Sequence, residues 1–222
     1  MKRFIDLSPT ESKGVDDQIF KNGIELNKSA KIIANSKNYG LATSLLILSS
    51  EEVIKAILVL LHSNDCMVYE LKESKEFFKF HKIRHKIAQL IEVNETILEI
   101  KKDWAKSSKT FFIIKSILQL TTKKHPILES NKRVNKLTSF NDLKNIGLYV
   151  DFRNDIVTPE MITKNEYNEV DEIVFRIINF YKKYKEVFES DIFSKENELL
   201  KSNIRLFIND ALKEFSFKNL NK

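Results

Sequence analysis

The segment that most restricts the fold of this chain covers residues 40–62, GLATSLLILSSEEVIKAILVLLH. It is apolar almost all the way round a helix, yet Glu51, Glu52 and Lys55 lie at its centre. A membrane span is disfavoured, because each central charge costs roughly 2.5–3.5 kcal/mol on insertion scales. We therefore predict that this segment crosses no membrane and is the central helix of a water-soluble bundle, surrounded by other helices.

The charges within this helix need partners, because a buried charge without a counter-charge is destabilising. Lys55 lies four residues after Glu51 and three after Glu52, so it can face either acid. One lysine cannot satisfy two carboxylates, and the helix therefore requires a second cationic group from elsewhere in the chain. We expect Glu52 to belong to a buried pair, whose disruption would cost roughly 3–5 kcal/mol.

Glycine and proline are scarce, at 4 and 3 of the 222 residues. Together with long segments rich in Leu, Ile, Lys and Glu, this scarcity predicts an all-α chain. Charged residues make up 31% of the chain and hydrophobic residues 42%, which is a globular composition. The length fits one large domain, or one domain with an appendage.

Net charge and cysteine usage restrict the partners and cofactors. The formal charge of +6 is compatible with a polyanion such as RNA, and equally with solubility alone. The single cysteine, Cys66, excludes an internal disulfide and a zinc site built on cysteines. We expect no cofactor and no metal. The N-terminus has no apolar stretch typical of a secretory signal, so we expect a cytoplasmic location.

Helical periodicity divides the chain into an N-terminal tail over 1–15, a helical domain over 16–190 and an amphipathic C-terminal helix within 191–222. Within the domain, we predict a helix capped by Ser74 that continues to about residue 93, followed by a buried helix over 107–122 and a loop over 123–139. After the loop, we predict a short helix capped by Ser139 and closed by Gly147, and an extended piece over 148–152. A further helix is predicted to open with Thr158 and Pro159.

The richest group of chemically active side chains is HKIRHK, residues 81–86. His81 and His85 are four residues apart, so they project from one side of a helix with Arg84 beside them. These residues could bind a metal, although acidic ligands at a suitable spacing are missing. They could transfer protons, because histidine titrates near neutral pH. They could also be structural, as most histidines on a helix surface are.

Three motifs occur in the order EEVIK, F..HK..H and K..GLYVDF followed by a proline, and this pattern resembles the AbiV family of abortive-infection proteins. The resemblance covers about residues 20–185 and places the chain in the HEPN superfamily. It implies a helical bundle that forms a two-fold dimer, with the acid-bearing and histidine-bearing helices packed together. From charge balance, we infer that His81, Arg84 or His85 pairs with Glu51 or Glu52. The expected supporting polar cluster comprises Glu51, Glu52, Lys55, Lys82, Tyr149 and Asp151.

The resemblance also implies a function, which is to stop phage multiplication inside the infected bacterium. Many HEPN proteins cleave RNA without a metal, using an arginine followed four to six residues later by a histidine. Here Arg84 is followed directly by His85, and Thr158 stands where Arg153 would need its histidine. An active site would therefore be a variant built on His81, Arg84 and His85, in which the histidines act as base and acid and Arg84 or Lys82 stabilises the phosphorane charge.

A different class of function remains open. The chain could be a non-catalytic helical dimer that binds a phage protein or the translation machinery. Its buried glutamate, histidine and lysine side chains would then only fix the packing. A third class is a regulatory, antitoxin-like binding module of the HEPN type. The partners expected from these alternatives are a second copy of the chain, a phage protein that activates it or is its target, and RNA.

Overall fold

The computed structural model describes residues 2–66, 68–70, 74–106, 126–189 and residue 202. Within these residues the chain is helical apart from connecting segments and one two-stranded hairpin, and the predicted all-α class is confirmed. The α-helices are α1 Pro9–Ser12, α2 Val15–Asn35, α3 Tyr39–Ser63, α4 Ser74–Phe77, α5 His81–Lys106, α6 Pro126–Thr138, α7 Phe140–Leu148 and α8 Lys164–Glu189. The hairpin pairs β1 Asp151–Phe152 with β2 Ile156–Val157 in antiparallel register.

Helix α3 lies at the centre of the bundle, as its apolar sequence predicted. It contacts α2, α5, α7 and α8, and its side chains are buried on every face. Asn38 starts the helix by accepting a hydrogen bond from the backbone N–H of Leu41 at 3.2 Å. Within the described ranges, no helix combines the length and the hydropathy needed to cross a bilayer.

Helices α3 and α7 cross with their backbones in contact. A Cβ added to Gly147 would lie 2.3 Å from the carbonyl oxygen of Gly40. Ser44 extends the contact, because its hydroxyl donates to the carbonyl of Lys144 at 2.8 Å. Ser139 occupies the predicted N-cap position of α7 but makes no side-chain capping bond, and the predicted closing role of Gly147 is wrong because this residue lies inside the helix. Glycine is required here for close approach rather than for helix termination.

The predicted helix from Ser74 to about residue 93 is interrupted. Helix α4 ends at Phe77, and α5 begins at His81 and then continues to Lys106. The interruption frees the carbonyl of Phe77, which accepts a hydrogen bond from Arg84 Nη1 at 3.2 Å. Ser74 does not cap the long helix, and its hydroxyl donates to the carbonyl of Tyr69 at 2.9 Å.

Two further predictions of element boundaries are wrong. Much of the predicted loop over 123–139 is helix α6, which opens with Pro126 at a position where proline is well tolerated. Helix α8 begins at Lys164, and Thr158–Pro159 opens only a 3₁₀ turn. Thr163 forms the capping box of α8, because its hydroxyl accepts from the backbone N–H of Glu166 at 3.2 Å and its own backbone N–H donates to the Glu166 carboxylate at 3.0 Å.

The described part of the N-terminal segment folds back onto the bundle. Ser12 in helix α1 is fully buried, and α1 contacts α3. The carbonyl of Leu7 lies 2.9 Å from His62 Nε2, near the C-terminus of α3. The helix predicted over 107–122 lies outside the described residues, and so does the segment over 191–222, apart from residue 202.

We expect Gly147→Ala to destabilise the fold, although alanine ordinarily favours a helix over glycine. The new methyl group meets the backbone of Gly40, and overpacking of this kind costs about 1–3 kcal/mol. Urea unfolding followed by circular dichroism measures the change. Asn141→Ala, at a half-buried position of the same helix, is the control and should change stability little. A Gly147→Ala protein as stable as the wild type would contradict the close crossing.

Candidate functional site

The carboxylate of Glu51 is buried at the middle of α3 and accepts hydrogen bonds from two neighbouring helices. Its Oε2 accepts from Arg84 Nη2 at 3.1 Å and contacts His81 Nδ1 more closely still. Its Oε1 accepts from Lys144 Nζ at 2.9 Å and contacts His85 Nε2 at 3.2 Å. We call these five residues the Glu51 network. Each carboxylate oxygen therefore has two nitrogen partners.

Local structure explains how helices α5 and α7 bring their side chains to Glu51. The break before His81 places the first turn of α5 beside α3, so that His81, Arg84 and His85 face the same carboxylate. The crossing of α3 and α7 brings Lys144 to the opposite oxygen. The ring of His85 also packs edge-on against Phe140, with 5.6 Å between the ring centroids.

Only one side chain of the Glu51 network is open to solvent. His81 is 49% exposed, whereas the other side chains of the network are all under one tenth exposed, at 3% for Glu51, 5% for Arg84, 6% for His85 and 7% for Lys144. His81 Nδ1 is held against Glu51, so Nε2 is the ring nitrogen left to exchange a proton with a substrate. The network therefore presents one oriented imidazole at the protein surface.

Whether His81 Nδ1 carries a proton determines which of two neighbouring groups it hydrogen-bonds. Arg84 Nη2 lies 2.7 Å from this nitrogen, and guanidinium groups only donate hydrogen bonds. A protonated Nδ1 donates to Glu51, and an unprotonated Nδ1 accepts from Arg84 instead. When Nδ1 carries the proton in the neutral ring, Nε2 has a free lone pair and can act as a base.

The charges of the network do not cancel. Arg84 and Lys144 carry two positive charges against the single negative charge of Glu51, before either histidine is protonated. Burial raises the pKa of the Glu51 carboxyl, but hydrogen bonds from His85, Lys144 and His81 outweigh that effect and hold the pKa well below its usual range. Glu51 is therefore ionised at neutral pH, and the site keeps an excess of positive charge.

The other residues of the expected polar cluster lie elsewhere. Glu52 is half-buried and pairs with Lys55 within α3. Of the two acids, Glu51 is the one that pairs with Arg84 of α5. Lys82 follows His81 in the first turn of α5, and its side chain is outside the described part of the structure. Tyr149 and Asp151 are exposed at the hairpin, where Asp151 accepts from Arg153 Nε at 3.2 Å.

Sequence reasoning missed Lys144, although a signal was present. Lys144 lies four residues after buried Phe140 and three before buried Gly147, so it occupies the apolar face of an amphipathic helix. A lysine at a core position requires an acid, and the central helix had one acid in excess.

Among the described residues, no group of three or more His, Cys, Asp and Glu side chains is arranged to hold a metal ion.

A second buried carboxylate, also missed, joins α5 to α6 and α8. Glu92 accepts hydrogen bonds from Arg133 Nε at 2.8 Å and from Arg176 Nε at 2.7 Å. The signal in the sequence was an acid at core spacing, four residues after buried Ala88. Because this cluster joins three helices and includes no imidazole, we assign it a structural role.

The described residues form a helical bundle packed around the apolar helix α3. The family model described as AbiV matches residues 11–179, which is more than half of the chain. The chain therefore belongs to the AbiV family of the HEPN superfamily, and the resemblance seen in the sequence is confirmed. No curated protein and no solved structure matches it significantly.

We expect Glu51→Ala to lower the free energy of unfolding by about 3–5 kcal/mol, because it leaves Arg84 and Lys144 buried without a counter-charge. Glu52→Ala is the matched control. It removes the neighbouring acid from a partly exposed pair within one helix, and should cost at most about 0.5–1 kcal/mol. Chemical denaturation measures both. Equal losses would contradict the assignment of Glu51 as the central acid.

The lowered pKa of Glu51 also predicts a dependence on pH. The stabilisation by its charge is fully present above the ordinary glutamate value of 4.5, and is lost as the pH falls from there towards the lower pKa of the folded state. Urea unfolding of the wild type and of Glu51→Gln, from neutral to acidic pH, measures how the free energy of unfolding depends on pH. The stability advantage of the wild type should shrink in the acid range. An advantage that grows on acidification would contradict the lowered pKa.

Proposed function

We propose that this protein acts in the bacterial cytoplasm to stop phage multiplication, and that it does so by cleaving RNA without a metal. Membership of the AbiV family supports the anti-phage role. The observation that carries the chemistry is His81, which is half exposed while its Nδ1 is held against a buried carboxylate. A carboxylate that orients an imidazole and leaves its other nitrogen free is a recurring arrangement for general base catalysis.

This geometry supports the following mechanism of RNA cleavage. His81 Nε2 takes the proton of a ribose 2′-hydroxyl, and the 2′ oxygen forms a bond to the adjacent phosphorus. The bond from phosphorus to the 5′ oxygen breaks, and that oxygen takes a proton from a second imidazole. The products are a 2′,3′-cyclic phosphate and a 5′-hydroxyl end. No redox partner is required.

The second imidazole must be accessible. His85 is buried and its Nε2 contacts Glu51, which favours a positioning role for it and for Arg84. In a two-fold dimer, His81 of a second copy supplies the proton to the leaving oxygen. The excess positive charge of the Glu51 network stabilises the phosphorane from below the surface.

A second candidate function is non-catalytic binding of a phage protein or of the translation machinery. The observation that favours it is a group of exposed apolar side chains on and beside the hairpin, namely Tyr149, Val150, Phe152, Ile156 and Met161. Contiguous exposed apolar surface commonly marks a protein–protein contact. In this alternative, the Glu51 network only fixes the packing of α3, α5 and α7.

His81→Ala should abolish RNA cleavage and phage protection together. General acid–base groups contribute about 10²–10⁴-fold, so the cleavage rate should fall by that factor. Total RNA from infected cells and plaque counts provide the two readouts. Light scattering should match the wild type and the melting temperature should change little, because Arg84 and Lys144 still pair with Glu51. The control Lys75→Ala removes an exposed cation from α4 and should leave both activities intact.

Two results would contradict RNA cleavage at His81. Intact RNA in infected cells that are nevertheless protected by the wild type would favour the binding alternative. Undiminished cleavage by His81→Ala would exclude His81 as the base.

A further inference from the structure

Phe80 is an aromatic side chain beside His81 that the core does not use. It is the last residue of the interruption between α4 and α5, and 45% of its surface is exposed. The two preceding phenylalanines behave differently. Phe77 is buried, and Phe78 packs against Phe4 with 5.4 Å between the ring centroids. Phe80 therefore offers an exposed aromatic ring directly before the exposed imidazole of His81 in the chain.

Lys79 places a positive charge over the ring of Phe80. Lys79 Nζ lies 5.1 Å from the centroid of its ring, within the range of a cation–π contact. The first turn of α5 contains no acidic side chain, and the Glu51 network beneath it holds one positive charge in excess. An aromatic ring with a neighbouring cation and a positive site below it is the combination that binds single-stranded nucleic acid.

The hairpin offers the other exposed aromatic side chains near α7, but its charges are unsuitable for a polyanion. Asp151 and Asp155 flank Phe152 and Arg153, and Asp142 lies 3.8 Å from Arg153 Nη2. Arg153 is thus already neutralised by acids. Of these two exposed aromatic surfaces, the one at Phe80 is matched to phosphate.

We propose that Phe80 stacks on a base of single-stranded RNA and thereby places the adjoining phosphodiester at His81. This inference rests on the proposed function and names its substrate as unpaired RNA. Bases within a duplex are stacked and paired, so they offer no free face to Phe80. A base on Phe80 and a phosphate at the neighbouring residue lie within one nucleotide of each other, which makes Phe80 a specificity-determining residue.

Binding is measured by fluorescence anisotropy with a labelled, unstructured 2′-O-methyl oligonucleotide, which has no attacking hydroxyl and stays intact. Stacking contributes about 1–3 kcal/mol per base, so Phe80→Ala should weaken binding about 5- to 150-fold. Phe80→Leu should weaken it as well, whereas Phe80→Trp should retain it. Phe175→Ala removes a phenylalanine of α8 that is more exposed than Phe80, and this variant should bind like the wild type. A duplex of the same sequence should bind more weakly.

Several results would overturn this inference. They are wild-type affinity in Phe80→Ala, tight binding of the duplex, no binding of the oligonucleotide by the wild type, and loss of binding in Phe152→Ala instead of Phe80→Ala. The inference and the proposed function fail separately. Phe80-dependent binding of RNA that is never cleaved would support the inference and contradict the function. Cleavage through His81 with unchanged kcat/KM in Phe80→Ala would do the reverse.

Discussion

The buried carboxylate of Glu51 couples helices α3, α5 and α7 through one side chain. Removing an ionised carboxylate from water costs several kcal/mol, and only well-placed counter-charges offset that cost. The bundle supplies Arg84 and Lys144 from two helices, together with His81 and His85. Because these helices must all reach one point on α3, their positions are coupled to a single side chain. Apolar packing alone would permit more than one arrangement of the same helices.

The same principle recurs at the periphery of the bundle, with a different outcome. Glu92 joins α5 to α6 and α8 through two arginines, whereas Asp16 accepts from Lys185 Nζ at 2.7 Å and so joins α2 to α8. These joints contain no imidazole. The Glu51 network is distinguished by including a half-exposed histidine, so the interaction that fixes the helices also orients a group able to transfer protons. We infer that the stabilising contact and the proposed chemistry share one carboxylate.

The sequence predicted what depends on local spacing and missed what depends on distant contacts. Periodicity and charge counting predicted the central helix, its surplus acid and the role of His81, Arg84 or His85 as a partner for that acid. Lys144 joins Glu51 across 93 positions of sequence, and its place on the apolar face of α7 indicates a buried partner without specifying which acid. A proline and a run of basic residues over 123–139 predicted a loop where the structure has helix α6. In the fold, Arg133 and Lys136 pair with acids of α5 and α8. Likewise, Arg84 donates to the carbonyl of Phe77 across the break before His81, a contact that helical periodicity does not specify.

The most direct test of this account is a double-mutant cycle between Glu51 and Lys144, measured by chemical denaturation of Glu51→Gln, Lys144→Met and the double variant. If one carboxylate fixes α7 to α3, each single variant leaves a partner unsatisfied, and the double variant should be less destabilised than the sum of the two. The coupling should then be about 1–3 kcal/mol. Losses that add to within about 0.5 kcal/mol would show that the two side chains act independently and would contradict the central role of Glu51.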